Sequence, residues 1–292
     1  MRPVVSHPAF AALHPTGGHP ERTERIAVLL DAFPDFVEAQ AATVDRIATV
    51  HERDYIDAAR AVSESGRPTM LDADTICTET TYEAALLAAG AAVQAVELGG
   101  FSLARPPGHH ALPGRAMGFC IFNNVAVAAR HALHEHGLER VAIIDFDVHH
   151  GNGTEDIFED DDTVLMASTF QHPYYPYSGT ESPARNMVNV PLPAGAGSRE
   201  FREAVRETWI PALNEYKPEL VIFSAGFDAH SEDDMAMLRF SDADYAWVTE
   251  QLKAVADKHS GGRMVSMLEG GYALSALGRS AVQHIKVMAG LA

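Results

Sequence analysis

The segment that most constrains this chain is an apolar run that ends directly in carboxylates and imidazoles. Residues 141–144 are followed by Asp145-Phe146-Asp147-Val148-His149-His150-Gly151-Asn152-Gly153. Such a run is typical of a buried parallel strand, and strand side chains alternate, so Asp145, Asp147 and His149 are expected to face one spot. The motif has no Lys or Arg to compensate this buried charge. It therefore predicts a divalent metal site, with a structural salt-bridge cluster as the alternative.

Histidine and carboxylate ligands favour zinc, with iron or cobalt as alternatives. A catalytic zinc usually has three protein ligands and one open position. Asp147 and His149 supply two. Asp228, at the end of Ser224-Ala225-Gly226-Phe227-Asp228, is the best candidate for the third, because it follows another apolar run.

Short apolar runs alternate with helical stretches along the whole chain. Strands are predicted at residues 101–104, 141–144, 164–167, 220–223 and 264–268, and helices at 80–98, 124–136, 199–216 and 241–259. This alternation predicts one α/β domain over residues 1–292, with a central, mostly parallel sheet flanked by helices. Four of the strands end in polar or turn residues, and the carboxyl ends of parallel strands meet at one edge. Those four ends are expected to converge on one site.

Composition excludes some partners. The 22 Lys and Arg against 40 Asp and Glu give a net charge of −18, without the basic patches that nucleic-acid binding needs. We expect no membrane-spanning segment and no signal peptide, because no apolar stretch approaches the roughly 20 residues that cross a bilayer and the first residues lack a leader pattern. The two cysteines, Cys77 and Cys120, form no pair motif, so a cytoplasmic location is expected.

Two further segments carry polar side chains after strands. Arg105-Pro106-Pro107-Gly108-His109-His110 sets two adjacent imidazoles after a tight loop, which favours proton-transfer groups. Glu269-Gly270-Gly271-Tyr272 allows a close backbone approach at its glycines. Tyr272 is then either a hydrogen-bond donor over the site or a packed aromatic after a turn. A third histidine group, at 131, 134 and 136, is expected on a solvated helix end.

These segments resemble, in chain order, the motifs of the histone deacetylase family. They are RPPGHH, GFCIFNN, DFDVHHGNG, SAGFD and LEGGY, preceded by His19-Pro20-Glu21-Arg22. The resemblance extends from about residue 7 to about residue 285. Glu269 and Asn152 make it closer to the class II and bacterial deacetylase or acetylpolyamine amidohydrolase branch, because class I relatives usually have Gly and Asp there.

The resemblance implies a single arginase-like α/β domain and a zinc-dependent amidohydrolase. Such an enzyme removes an acyl group, most often an acetyl group, from a lysine-like or polyamine-like amine. The substrate can be a small molecule or a peptide. It implies that Asp147, His149 and Asp228 bind zinc, that His150 does not, and that Tyr272 binds the oxyanion.

The resemblance also implies roles for the tandem histidines. His110 would be the general base and later the acid, and His109 would be a charged partner held by Asp145. Asn152 stands where class I members have Asp. It can orient His110 but adds no charge, which leaves the basicity of His110 open.

Family members also bind potassium behind the zinc. The implied ligands, several through backbone oxygens, are Asp145, Asp147, His149, Ser168 and Thr169. Phe119 and Tyr175 resemble the aromatic residues that line a narrow acyl-lysine channel. Met235, seven residues past Asp228, stands where polyamine-selective relatives can carry Glu, which weakens the polyamine interpretation.

Two other functions remain as alternatives. A ureohydrolase on the same fold would need two manganese ions and more carboxylates than residues 145–150 offer. A non-catalytic module that binds acyl-lysine or acyl-polyamine would use the same pocket without hydrolysis. The oligomeric state stays open.

Overall fold

The centre of the molecule is an eight-stranded sheet in which every neighbouring pair is parallel. The computed structural model describes residues 2–181 and 184–291. Its strands are β1 (Val4–Ser6), β2 (Val37–Glu38), β3 (Thr69–Met70), β4 (Ile76–Cys77), β5 (Phe101–Ser102), β6 (Val141–Asp145), β7 (Val164–Gln171), β8 (Met187–Leu192), β9 (Leu220–Ala225) and β10 (Met264–Leu268). The sheet order is β2-β1-β5-β10-β9-β6-β7-β8, and β3 and β4 form a separate antiparallel pair.

Helices flank this sheet. They are α1 (Glu24–Ala32), α2 (Val44–Ile47), α3 (Arg53–Glu64), α4 (Thr81–Leu98), α5 (Asn124–Glu135), α6 (Asn152–Phe158), α7 (Ser198–Ala204), α8 (Ile210–Tyr216), α9 (Asp242–His259) and α10 (Leu274–Met288), with a 3-10 turn at Pro8–Ala11. The predicted α/β class and mostly parallel sheet are confirmed. The single helix predicted over residues 199–216 is instead α7 and α8 joined by a π-helical segment at Val205–Trp209.

Burial explains why the inner strands could be predicted. Every residue of β6, β7, β9 and β10 is buried, so helices cover both faces of the sheet and the strands appear as continuous apolar runs. The outer strands β1 and β2 were not predicted, because they have three and two residues and too little apolar pattern. The predicted strand at 101–104 ends at Ser102, since the chain leaves the sheet for the proline-rich loop that follows.

The strand register brings the polar loops together as expected. Asp145 of β6 pairs with Ser224 of β9, and Leu268 of β10 pairs with Ala225. The carboxyl ends of β5, β10, β9 and β6 are thus neighbours at one edge. The expected domain ends, residues 1 and 292, lie outside the described residues. In the described part of the chain, none of the helices combines the length and apolar character needed to cross a membrane.

Helix α4 packs so closely that one of its positions has no room for a side chain. A Cβ on Gly90 would lie 1.8 Å from the backbone oxygen of Gln40, so Gly90→Ala must move backbone. We expect a loss of about 1–3 kcal/mol in the free energy of unfolding, measured by urea denaturation. Gly278→Ala in α10 is the matched control. Its nearest contact would be 3.9 Å from Val28, and it should stabilise by about 0.5–1 kcal/mol. Equal stability of Gly90→Ala and the unchanged protein would contradict this packing.

Candidate active site

Three side chains that could bind a metal ion, Asp147, His149 and Asp228 (the metal-ligating cluster), meet at the carboxyl edge of the sheet. Past the end of β6 the chain turns, with the Asp147 N–H donating to Asp145 Oδ1 at 3.1 Å and the His149 N–H donating to Asp147 Oδ1 at 2.9 Å. Asp228 follows β9 and accepts from the Val148 N–H at 2.9 Å. One donor atom from each of Asp147, His149 and Asp228 lies within 4.8 Å of the others, and all three residues are buried. The structure therefore brings together the three residues predicted to bind zinc.

The electrostatics of this cluster call for a positive charge. His149 Nδ1 lies 3.0 Å from Asp147 Oδ1 and 3.3 Å from Asp228 Oδ2. Burial alone would lower the pKa of His149, but these two carboxylates raise it to about 10. Burial, followed by repulsion from Asp147, raises the pKa of Asp228 to about 7. Apart from this 3.3 Å ion-pair contact with His149, the buried Asp228 Oδ2 makes no hydrogen bond within the described residues. A divalent cation would satisfy this oxygen and relieve the repulsion.

The glycines after β10 leave space for these carboxylates. The Gly270 N–H donates to Asp147 Oδ2 at 2.9 Å, and a Cβ at Gly270 would lie 2.1 Å from Asp228 Oδ2. Gly271 has a φ of 123°, in the region that favours glycine. The expected close backbone approach at these two glycines is confirmed.

Asp145 is separate from the metal-ligating cluster, which corrects the expectation from strand alternation. The strand ends at Asp145, and the following residues coil, so the alternation does not continue to His149. Asp145 Oδ2 instead lies 3.0 Å from His109 Nδ1. That contact agrees with its implied role as the partner of His109.

The tandem histidines have opposite charge tendencies. Their ring centroids are 4.1 Å apart. Burial would lower the pKa of His109, but Asp147 and Asp145 outweigh it and raise the pKa to about 10. Burial, followed by the positive charges of His109 and His149, holds the pKa of His110 well below its usual range. These opposite pKa shifts favour the charged form of His109 and the neutral form of His110.

Asn152 fixes the tautomer of His110. Its Oδ1 accepts a hydrogen bond from His110 Nδ1, with 2.8 Å between the two atoms. The proton of the neutral ring is then on Nδ1, which leaves Nε2 unprotonated. Asn152 thus orients the ring without adding charge.

Tyr272 lies in the same cavity and is held from two sides. Asp233 Oδ2 accepts from the Tyr272 N–H at 2.6 Å and from the Ala273 N–H at 2.9 Å. The Arg25 guanidinium carbon lies 4.9 Å from the centre of the Tyr272 ring. Burial raises the pKa of Tyr272 well above 10, so its hydroxyl keeps its proton and can donate. The ring also packs edge-on against Phe119 at 5.9 Å.

A cavity of about 200 Å³ leads to these groups. The three residues predicted to line a substrate channel, Phe119, Tyr175 and Met235, all border it together with the tandem histidines and Tyr272. The Tyr175 ring centroid is 5.4 Å from that of His110. Asp74 and Tyr174, which the sequence did not single out, also line the cavity.

Behind the metal-ligating cluster lie the hydroxyls implied for a potassium site. Ser168 pairs with Asp145 in the register of β6 and β7. The Ser168 Oγ and Thr169 Oγ1 atoms are buried and have no hydrogen-bond partner in the described part of the protein. Such orphaned oxygens fit a site for a hard cation that takes oxygen ligands.

His150 and the helix-end histidines lie outside this cluster. His150 contacts Ser178 Oγ at 2.8 Å and Glu155 Oε2 at 3.1 Å. The expectation of a solvated surface was wrong for His131, which is buried. Arg46 contacts one of its ring nitrogens and Glu97 the other. Glu97, His131 and His136 also lie close enough together to hold a metal ion, but Glu97 and His136 are exposed.

Three supporting residues were missed or underused by sequence reasoning. Arg25 donates to the backbone oxygens of Gly271 and Glu269 across 246 and 244 positions of sequence, so no local pattern could reveal it. Asp233 accepts from the backbone N–H of Tyr272, but in the sequence it lies between two other acidic residues, and no pattern distinguishes it from them. Glu269 was noted only as a family marker, although its side chain contacts the histidine loop.

Comparison with known proteins agrees with this site. Residues 18–288 match the family model described as "Histone deacetylase domain". The chain is 37% identical over 314 residues to "Histone deacetylase 14, chloroplastic" of Arabidopsis thaliana, covering 95% of this chain and 74% of that protein. It is 33% identical over 302 residues to "Polyamine deacetylase HDAC10" of Homo sapiens, covering 92% of this chain and 44% of that protein. The crystal structure of the HDA15 HD domain matches with a TM-score of 0.91 and 32% identity, covering 100% of this chain and 90% of that one.

The fold, the site and these relatives define an enzyme that hydrolyses amides. The chain belongs to the histone deacetylase family. The resemblance found in its motifs is confirmed.

A buried ion pair lies beneath the histidine loop. Both oxygens of Glu21 accept from the Arg105 guanidinium, at 2.8 and 2.7 Å, and neither side chain is exposed. Burial alone would raise the pKa of Glu21, but His14 and Arg105 hold it well below its ordinary value of 4.5. A lowered pKa in the folded state means that this carboxylate stabilises the fold above pH 4.5 and that the stabilisation is lost as pH falls below it.

We expect Glu21→Gln to lower the free energy of unfolding at pH 7 by about 3–5 kcal/mol, because it leaves the Arg105 charge buried and unpaired. The difference from the unchanged protein should shrink as the pH is lowered below 4.5. Urea denaturation at several pH values measures both effects. Asp57→Asn is the control, because its pair with Arg60 is exposed and should contribute less than about 1 kcal/mol. A similar loss in both variants would contradict the buried pair's role.

Proposed function

We propose that this protein is a zinc-dependent deacylase that hydrolyses linear amides of lysine-like amines. The observation that carries the proposal is the buried cluster of Asp147, His149 and Asp228, because His149 lines the same cavity as the tandem histidines His109 and His110. Two carboxylates and one imidazole are a donor set that zinc accepts in catalytic sites. The Asp228 Oδ2 atom, which makes no hydrogen bond within the described residues, and the raised pKa of His149 support a cation there.

Zinc bound to these residues would polarise the amide carbonyl and lower the pKa of a water towards about 7. A potassium ion would fit behind it, with oxygens from Asp145, Asp147, His149, Ser168 and Thr169. The orphaned hydroxyls of Ser168 and Thr169 support that site. Iron or cobalt could replace zinc at this donor set.

His110 is the residue that moves protons. Its Nε2 accepts a proton from the attacking water and later returns it to the nitrogen of the leaving amine. Its lowered pKa keeps it ready as a base at neutral pH. His109 stays charged beside Asp145 and contributes electrostatically.

Tyr272 donates its hydroxyl hydrogen to the oxygen of the tetrahedral intermediate. Its phenol stays protonated because burial raises its pKa. A single donor of this kind is typically worth about 3 kcal/mol of the barrier.

The cavity supports a slender acyl-amine substrate. Phe119 and Tyr175 border it and would accept a linear aliphatic stem. Met235 adds no charge at the rim, which favours an acyl-lysine in a peptide or small molecule over a polyamine. The names of the relatives include both a histone and a polyamine deacetylase, so acetyl-, propionyl- and longer acyl-lysines should be assayed beside acetylated polyamines. Higher kcat/KM for acetylated polyamines would overturn this preference. The cytoplasmic location stays a prediction.

Removal of metal is the direct test of the function. We expect chelation to abolish amide hydrolysis, and zinc or cobalt to restore it at one ion per chain in this cluster. Acetate release and metal content are the measurements. Asp228→Asn should lose both the ion and the activity.

Two results would point to the alternatives. Tight binding of acetyl-lysine without acetate release by zinc-loaded protein would indicate a binding module. Activity that needs two manganese ions at the cluster would indicate a ureohydrolase.

Loss of the Tyr272 hydroxyl separates metal binding from turnover. We expect Tyr272→Phe to keep its zinc but to lose about 100-fold in kcat, because the oxyanion loses a donor. Tyr216→Phe is the matched control, since that hydroxyl bonds the Asp162 backbone on the surface. Steady-state kinetics with an acetyl-lysine substrate measure the effect. Unchanged kcat in Tyr272→Phe would remove this residue from the mechanism.

A further inference from the structure

Glu269 places a carboxylate directly under the loop that carries the tandem histidines. Its side chain is fully buried. Its Oε2 accepts from the Gly108 N–H at 2.7 Å and from the His109 N–H at 3.1 Å. Successive backbone amides of the histidine loop therefore end on one oxygen.

The backbone of Glu269 is fixed as well. Its N–H donates to the Ala225 oxygen at 3.0 Å, which continues the pairing of β10 with β9. Its backbone carbonyl oxygen accepts a hydrogen bond from the Arg25 guanidinium. The carboxylate thus links the histidine loop to the rigid end of a central strand.

Burying a carboxylate to accept from the Gly108 and His109 N–H groups costs free energy, because a charged group loses its hydration. Burial raises the pKa of Glu269 to about 7, although His109 and the two amides oppose the rise. Its second oxygen, Oε1, has no hydrogen-bond partner among residues 2–181 and 184–291. Two backbone N–H groups of one loop that donate to a single buried oxygen therefore indicate that this oxygen holds the loop in a defined position.

We propose that Glu269 is a positioning residue for hydrolysis, whose carboxylate fixes the Gly108–His109 backbone and thereby the position of the His110 ring over the metal-ligating cluster. The inference rests on the function proposed above. Glu269 touches neither substrate nor metal ligands in this role. It acts through the loop, while Asn152 sets the orientation of the ring itself.

Most of the cavity lining comes from segments other than the histidine loop. Phe119, Tyr175 and Met235 belong to loops that Glu269 does not contact through hydrogen bonds of its side chain. Loosening the histidine loop should therefore misplace the general base, while the side of the cavity formed by Phe119, Tyr175 and Met235 stays in place. A misplacement of about 1 Å can cost about 100-fold in rate.

The kinetic test compares two substitutions in the zinc-loaded protein. We expect Glu269→Ala to lose about 100-fold in kcat, with KM within about twofold and zinc content unchanged. Glu269→Gln keeps an acceptor oxygen and should recover about tenfold of that loss. The control is Asp244→Ala, which removes a carboxylate that is equally buried but caps α9. It should lower Tm without changing kcat at 25 °C.

A second readout does not depend on activity. In protein labelled with ¹⁵N-glycine, the Gly108 amide proton should resonate downfield at pH 8.5, because it donates to an ionised carboxylate. It should move upfield in Glu269→Gln and Glu269→Ala. An inactive but otherwise intact wild-type protein would overturn the proposed function, while this NMR comparison would still test the contact.

Three results would overturn the positioning role. They are an unchanged kcat in Glu269→Ala, an equal loss of kcat in Glu269→Ala and Asp244→Ala, and a Gly108 amide shift that is the same in all variants. A failure of Glu269→Gln to recover any activity would also oppose it, since the loop needs an acceptor oxygen at this position.

Discussion

The two buried carboxylates Asp147 and Asp228 lie close together at adjacent strand ends and repel each other. The site can form only if this repulsion is compensated. Two like charges 4 Å apart cost about 4 kcal/mol at an effective dielectric constant of 20. The fold meets this cost by setting His149 Nδ1 between them, 3.0 and 3.3 Å from their oxygens. A proton on His149 or a metal ion can occupy that place, but not both. A metal ion bound as proposed would therefore displace this proton from His149.

The same charge balance separates the two histidines of the tandem pair. His109 lies against Asp145, whereas His110 meets the neutral amide of Asn152. The sequence left the basicity of His110 open because Asn adds no charge. In the structure, burial and the neighbouring histidines His109 and His149 lower the pKa of His110. An Asp in place of Asn152 would counteract that effect, so the amide is consistent with a base that must be neutral near pH 7.

Local patterns predicted the inner strands and the residues that follow them. Asp147, His149 and Asp228 could be found because each lies within five residues of the end of a continuous apolar run. Arg25 could not be found, since its partners are more than 240 positions away and a surface arginine has the same sequence appearance. His131 was assigned to the surface because its burial depends on how α5 packs against α4 and α2, which no single helix pattern contains. Asp145 was placed with the metal ligands because the strand was assumed to continue past its real end.

The loops of the site are anchored by buried charged side chains. Beneath it, the buried pair of Glu21 and Arg105 and the carbonyl contacts of Arg25 fix the loops. Buried ion pairs seldom add net stability, so their contribution here is best understood as positional. In the cavity lining, the buried Tyr175 hydroxyl has no hydrogen-bond partner within the described residues, and Met235 offers only an apolar side chain. The proposed hydrolytic groups and these lining residues therefore belong to different segments of the chain, so that a substitution in one need not disturb the other.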